Sequence, residues 1–166
     1  MYRNAMILMG LVVALCGCAS TREVAAPVDT VALAQLLDEW TAAWSSNDVA
    51  RLLRLFTNDV YYEDVPLGAV SRGKPALAGF ATGVFDGFIE LKFERKSRFV
   101  SPDGRAGAIE WVFRGRQVKD FPGIPATDKP FEVRGSSIVE FRDGKISRNS
   151  DYWDLASYLR QVGLAK

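Results

Sequence analysis

The chain contains no histidine, and its two cysteines, Cys16 and Cys18, both lie in the first eighteen positions. Without imidazole, neither a Ser-His-Asp nor a Cys-His nucleophile can be assembled, and His-ligated metal sites are excluded with them. Charge of one sign is also lacking: 21 Lys and Arg oppose 20 Asp and Glu, a net +1, which leaves no basic surplus to neutralise a phosphate backbone. Nucleic acid is therefore not an expected partner. No glycine-rich phosphate loop follows a strand, since Gly79 and Gly83 fall inside a helical pattern. Two candidate carboxylates without further oxygen ligands do not make a hard-cation site, so no metal and no cofactor are expected.

Long apolar runs are absent except for one. Met6 to Leu15 follows Arg3 and ends in Cys16-Gly17-Cys18-Ala19-Ser20, too short for an ordinary membrane span. Leu15-Cys16-Gly17-Cys18 resembles a bacterial lipobox. That resemblance implies that residues 1–17 are a lipoprotein signal, that Cys18 carries lipid, and that residues 18–28 tether the domain to the periplasmic side of the cell envelope. An uncleaved N-terminal anchor is the alternative. On the lipobox reading the mature domain, 29–166, keeps no reactive cysteine.

What is present reads as one domain, because 166 residues with 48% hydrophobic content suit a single core. After Asp29, a fitting N-cap, Leu33, Leu37, Trp40 and Trp44 share one helical face, which predicts a first helix to about Ser46. Asn47-Asp48 re-caps the chain for a second helix carrying Val49, Leu52, Leu53 and Phe56. Val60 to Asp64 is strand-prone, and Pro75 suits the first turn of a third helix ending near Phe85. The period then changes to two: Ile89, Leu91 and Phe93 alternate with charged residues, and strands follow over about 106–118, 131–142 and 145–150. Asp143-Gly144 is a hairpin turn. Asp154 is placed to cap a short last helix from Leu155 to Val162, which leaves Asp151 without a local explanation. Helices, a meander of long strands and a closing helix give an α+β fold with helices gathered on one side of a curved sheet.

The order of these elements, with Asn47-Asp48, Phe56 to Asp64, Asp143-Gly144-Lys145-Ile146 and Asp151-Tyr152-Trp153-Asp154, resembles the nuclear transport factor 2-like superfamily over about 29–163. Within it the chain is similar to SnoaL-like polyketide cyclases, limonene epoxide hydrolases and ketosteroid isomerases. The resemblance implies a cystatin-like α+β barrel: about three N-terminal helices, a cone-shaped, curved antiparallel or mixed sheet with an apolar pocket at its mouth, and a short C-terminal helix. It also implies a homodimer formed through the open sheet face.

Residue by residue, Asp64 lies where ketosteroid isomerases carry their general base, with Trp40 and Ser137 near their oxyanion-hole positions. Asp151 lies where epoxide hydrolases carry a catalytic aspartate, Tyr62 where they position water, and Trp111-Val112-Phe113 replaces their Arg-x-Asp. SnoaL-like cyclases place their acid/base aspartate in the region of Asp151. Asp64 and Asp151 are thus the candidate catalytic residues. Strand alternation puts Asn149 and Trp153 with Asp151, and Ser137 on the adjacent strand; Trp111, Phe113, Tyr62 and Trp40 or Trp44 complete a candidate ligand wall. The expected ligand is small, hydrophobic and of carbonyl type, processed by acid/base isomerisation or cyclisation; a binding module without turnover is the other class. Two plainer readings stay open: Asp64 as a turn cap on the amides near Leu67-Gly68, and Asp151 paired with Arg134 or Arg148.

Overall fold

The computed structural model describes residues 28–121 and 123–166. The leader, the Cys18 lipidation and the tether as far as residue 27 lie outside the described residues, and no helix among those described is long and apolar enough to cross a membrane.

Helix α1, Thr30–Trp44, begins where its cap dictates: the Asp29 carboxylate accepts the Ala32 amide at 2.9 Å, and Leu33, Leu37, Trp40 and Trp44 are buried on one face. Helix α2 is shorter than its spacing predicts, Val49–Leu53, although Asp48 caps it as expected through the Arg51 amide at 2.8 Å. Phe56 leaves the helical pattern because it opens strand β1, Phe56–Asp64, where pairing with the distant residue Ile146 overrides local propensity. A four-residue strand that the sequence did not announce, β2 (Ala69–Arg72), turns back on β1. Helix α3, Gly73–Gly87, follows, with Pro75 in its first turn.

Four long strands come next: β3 (Phe88–Val100), β4 (Ala106–Gln117), β5 (Pro130–Arg142) and β6 (Lys145–Trp153), closed by helix α4, Leu155–Gln161. Strand β3 departs from simple alternation. Its pairing with β4 slips between Ile89 and Lys92, so that Ile89 is 41% exposed instead of facing inward. Asp143 and Gly144 both have positive φ, 54° and 69°, the backbone that a two-residue hairpin turn between right-twisted strands requires. Asp154 caps α4 through the Ser157 amide at 2.8 Å.

The six strands form one open sheet in the order β2-β1-β6-β5-β4-β3. All neighbours are antiparallel except β1 and β6, which run parallel and put Asp64 in register with Asp151. Helices α1 and α3 pack on the inner face over a core that includes Leu37, Trp40, Leu52, Leu77, Ile109 and Ile146, all without solvent exposure. Gly135 on β5 lets the large Trp111 ring lie flat over its backbone: a Cβ there would stand 2.3 Å from the ring.

Candidate active site

Strands β1 and β6 deliver the two acids to one cavity of about 60 Å³, room for a few waters or a small organic group. Its walls are aromatic: Trp44 from α1, Tyr62 from β1, Phe80 from α3, Phe93 from β3, Trp111 and Phe113 from β4, and Trp153 from β6. Asp64 and Asp151 both line it, and both are buried, at 7% and 4% exposure.

Asp151 sits in a cradle of donors. Ser137 Oγ donates to its Oδ1 at 2.6 Å, Asn149 Nδ2 donates to the same oxygen at 2.6 Å, and the Tyr62 hydroxyl donates to Oδ2. Trp111 Nε1 donates to Ser137 Oγ at 2.9 Å, which orients that hydroxyl so its own proton goes to Asp151. Burial pushes Asp151 up to about 6, and the three hydrogen bonds hold it from rising further. Asp64 accepts the Trp153 indole N–H with both oxygens, at 3.0 and 3.1 Å, and the Leu67 amide at 3.2 Å. Burial first, and the neighbouring Asp151 charge second, push it up to about 7. Tyr62 is driven well above its ordinary value by burial and by Asp151, so it remains a donor.

Both acids are thus held above the ordinary carboxylate range, and the charge on Asp151 makes Asp64 the harder of the two to ionise. Proton transfer is most efficient when a group titrates near working pH, and this pair is set there by desolvation within an apolar cavity. The turn-cap role read for Asp64 is also present, through Leu67, but the same carboxylate faces the cavity. Asp151 pairs with neither expected cation: Arg134 bonds Glu110, and Arg148 lies 4.9 Å over the Tyr61 ring.

Of the residues expected at the ligand wall, Tyr62, Trp111, Phe113 and Trp153 line the cavity. Trp40, Ser137 and Asn149 do not. Trp40 is fully buried behind the wall, stacked 6.2 Å from Trp111, and Ser137 and Asn149 lie beneath Asp151 as its hydrogen-bond donors. Alternation along β5 and β6 identified the correct face but could not tell the surface of a cavity from the layer under it.

Sequence reasoning missed Gln117, 1% exposed, whose amide nitrogen donates to the carbonyls of Lys119 and Ile124 at 3.0 and 2.9 Å and whose oxygen accepts the Tyr158 hydroxyl. The signal was there: 111, 113, 115 and 117 share a face of β4, and a glutamine on an otherwise apolar face marks a buried polar task. Through Gln117, β4 holds the loop that brings Phe121 and Ile124 to the cavity. No periodicity announces residues of such a loop. Among the described residues no three His, Cys, Asp or Glu side chains gather into a group.

Among curated proteins, none matches the chain. Solved structures do. A Catenulispora acidiphila protein with a ketosteroid isomerase-like fold, in complex with trimethylamine, is 25% identical, with a TM-score of 0.69 over 78% of this chain and 93% of that one. TsrD from Streptomyces laurentii is 25% identical, with a TM-score of 0.73 over 82% and 98%. A Pseudomonas putida KT2440 protein described as a candidate polyketide cyclase, 23% identical, shares the fold with a TM-score of 0.72 over 78% and 96%. The family model for SnoaL-like polyketide cyclases matches residues 34–162, nearly all of the described domain. With an open six-stranded sheet and a cavity framed by its first and last strands, the chain belongs to the SnoaL-like polyketide cyclase family.

Proposed function

We propose that the cavity receives a small, largely apolar carbonyl compound and that Asp151 and Asp64 move a proton on it, in an isomerisation or cyclisation that needs no cofactor. One observation carries this reading: two buried carboxylates, in register on adjacent parallel strands, line one aromatic cavity, where burial raises both above the ordinary carboxylate range. Asp151, ionised first and steadied by three donors, takes the proton from the carbon beside the carbonyl. Asp64, still protonated, donates to the carbonyl oxygen as negative charge develops there. Return of a proton to another carbon completes an isomerisation; attack of the enol carbon on a second carbonyl closes a ring. The trimethylamine held by the Catenulispora protein supports small-molecule binding by this fold.

A second reading, a binding module without turnover, is favoured by the hydrogen-bond inventory: the donors around the carboxylates are already engaged, and only a protonated acid remains to stabilise an enolate oxygen. Turnover of a panel of enones, epoxides and polyketide-like ketones, compared between wild type and Asp151→Asn, separates the two. Equal activity in both proteins sinks the catalytic role of Asp151.

We also propose that the domain is held at the periplasmic side of the envelope by lipid on Cys18, and that it pairs with a second copy through its outer sheet face. Phe99, Ile138 and Tyr152 expose 69%, 49% and 48% of their surface on that side of β3, β5 and β6, which supports pairing. Intact mass of the membrane-extracted protein reads the first, and sedimentation reads the second.

A further inference from the structure

We infer that the ligand of this cavity is a small organic cation, an aliphatic ammonium whose apolar substituents face the rings and whose charge faces Asp64 and Asp151. The inference rests on the cavity being a ligand site and does not depend on turnover. A carbonyl compound bearing a protonated amine satisfies both readings.

Three observations lead there. First, the cavity holds two acids, steadied by neutral donors, and no fixed cation. Among the described residues no Lys or Arg lines it and neither Asp64 nor Asp151 forms an ion pair, although many of the surface carboxylates do. Buried carboxylates ordinarily take a cationic partner, because desolvation makes an unpaired charge costly.

Second, its hydrogen bonding is of one sign. Tyr62 donates to Asp151 and Trp153 to Asp64. Trp111 donates to Ser137, which donates to Asp151. The amide orientation of Gln117 follows from its neighbours: two backbone carbonyls can only accept, so the nitrogen faces them and Tyr158 must donate to the oxygen. Trp44 Nε1 has no partner, but it is sealed from any solvent-sized atom. Apart from a proton on an acid, the remaining capacity at the cavity is acceptor capacity, at two carboxylates and two phenol oxygens.

Third, the walls are π faces and edges, and Trp44, Phe80, Phe93, Trp111 and Trp153 surround a volume of about 60 Å³. Aromatic rings attract alkylammonium ions through their quadrupoles and repel none of the alkyl surface. A neutral ketone exploits the walls but brings no positive charge to the two acids; an ammonium uses the walls and the acids together.

The titratable and charged groups that face such a cation are Asp64 and Tyr62 from β1, Asp151 from β6 and Tyr158 from α4. Protons compete with it for the two acids. The test is calorimetric titration of the full chain at about 0.15 M salt, where surface charge is screened, with tert-butylammonium, tetramethylammonium and the neutral isostere tert-butanol. At pH 7.5 both cations bind at least tenfold tighter than the alcohol; at pH 5 that advantage falls by tenfold or more, and it shrinks to threefold or less in Asp64→Asn or in Asp151→Asn, with near-ultraviolet dichroism of the tryptophans showing that each variant is folded. Alcohol binding that equals cation binding overturns the inference, as does cation binding indifferent to pH and to both variants. Failure of all three probes overturns it too, while turnover of the carbonyl panel would leave the proposed function standing.

Discussion

The indole nitrogen of Trp153 lies 3.0 Å from one oxygen of Asp64 and 3.1 Å from the other, a contact between residues 89 positions apart. It arises because β6 runs parallel to β1 and extends past Asp151, so the side chain two residues beyond Asp151 reaches across to the end of β1. The N–H holds Asp64 toward the cavity and opposes the rise that burial imposes on it. Trp153 also stands edge-on to Tyr158, 5.8 Å between ring centres, which fixes the indole from its other side.

Trp153→Phe keeps the ring and removes that donor. The expected result is a titration of Asp64 displaced above about 7, measured by carboxyl carbon chemical shifts against pH, with Asp151 moving less. An unmoved Asp64 titration contradicts the role given to the indole.

Tyr62→Phe removes the hydroxyl that donates to Asp151. Since that bond lowers Asp151, its loss raises Asp151 above about 6 and shifts the acidic limb of any pH–rate profile upward. The same carboxyl resonance reads it. Stability above pH 7 should fall by about 1.5–3 kcal/mol, the usual worth of a hydrogen bond to a charged group.

Both acids bind their protons more tightly in the folded chain than in the unfolded one, with folded values of about 7 and about 6 against an ordinary 3.8. The folded state therefore holds more protons between about pH 4 and pH 7, and stability declines as pH rises through that window. Each acid contributes a slope of up to about 1.4 kcal/mol per pH unit. Asp64→Asn should flatten the decline, raising the melting temperature at pH 8 and changing it little at pH 4.5. A wild type whose stability climbs steadily from pH 5 to pH 8 would refute the raised values.

Gly135→Ala places a Cβ where the Trp111 ring lies, at 2.3 Å, too close to be relieved without moving the indole. Overpacking of this kind costs about 1–3 kcal/mol. Because Trp111 also orients Ser137 at 2.9 Å, denaturant melts should show the loss together with a displaced Asp151 titration.

Asp154→Ala is the contrasting case. It removes the α4 cap at Ser157, costing about 1 kcal/mol, and leaves the titrations of Asp64 and Asp151 unchanged.

The sequence by itself determined the elements whose cause is local. Caps at Asp29, Asp48 and Asp154, the apolar stripe of α1 and the Asp143-Gly144 turn all follow from neighbours within a few residues, and the absence of histidine removed whole classes of chemistry. The order of the elements was enough to suggest the family. Tertiary structure alone decided the rest, because its causes are non-local. The end of α2 yields to Phe56 pairing near Ile146; Trp40 goes behind the wall and Trp44 into it, although both lie on the same helical face; and the loop carrying Phe121 and Ile124 is brought to the cavity by a glutamine on β4. Asp151 could be singled out from the sequence as unexplained by its surroundings. Only the parallel pairing of the first and last strands decided that its register partner is Asp64, since parallel register is fixed by burial across the whole sheet and by no local signal.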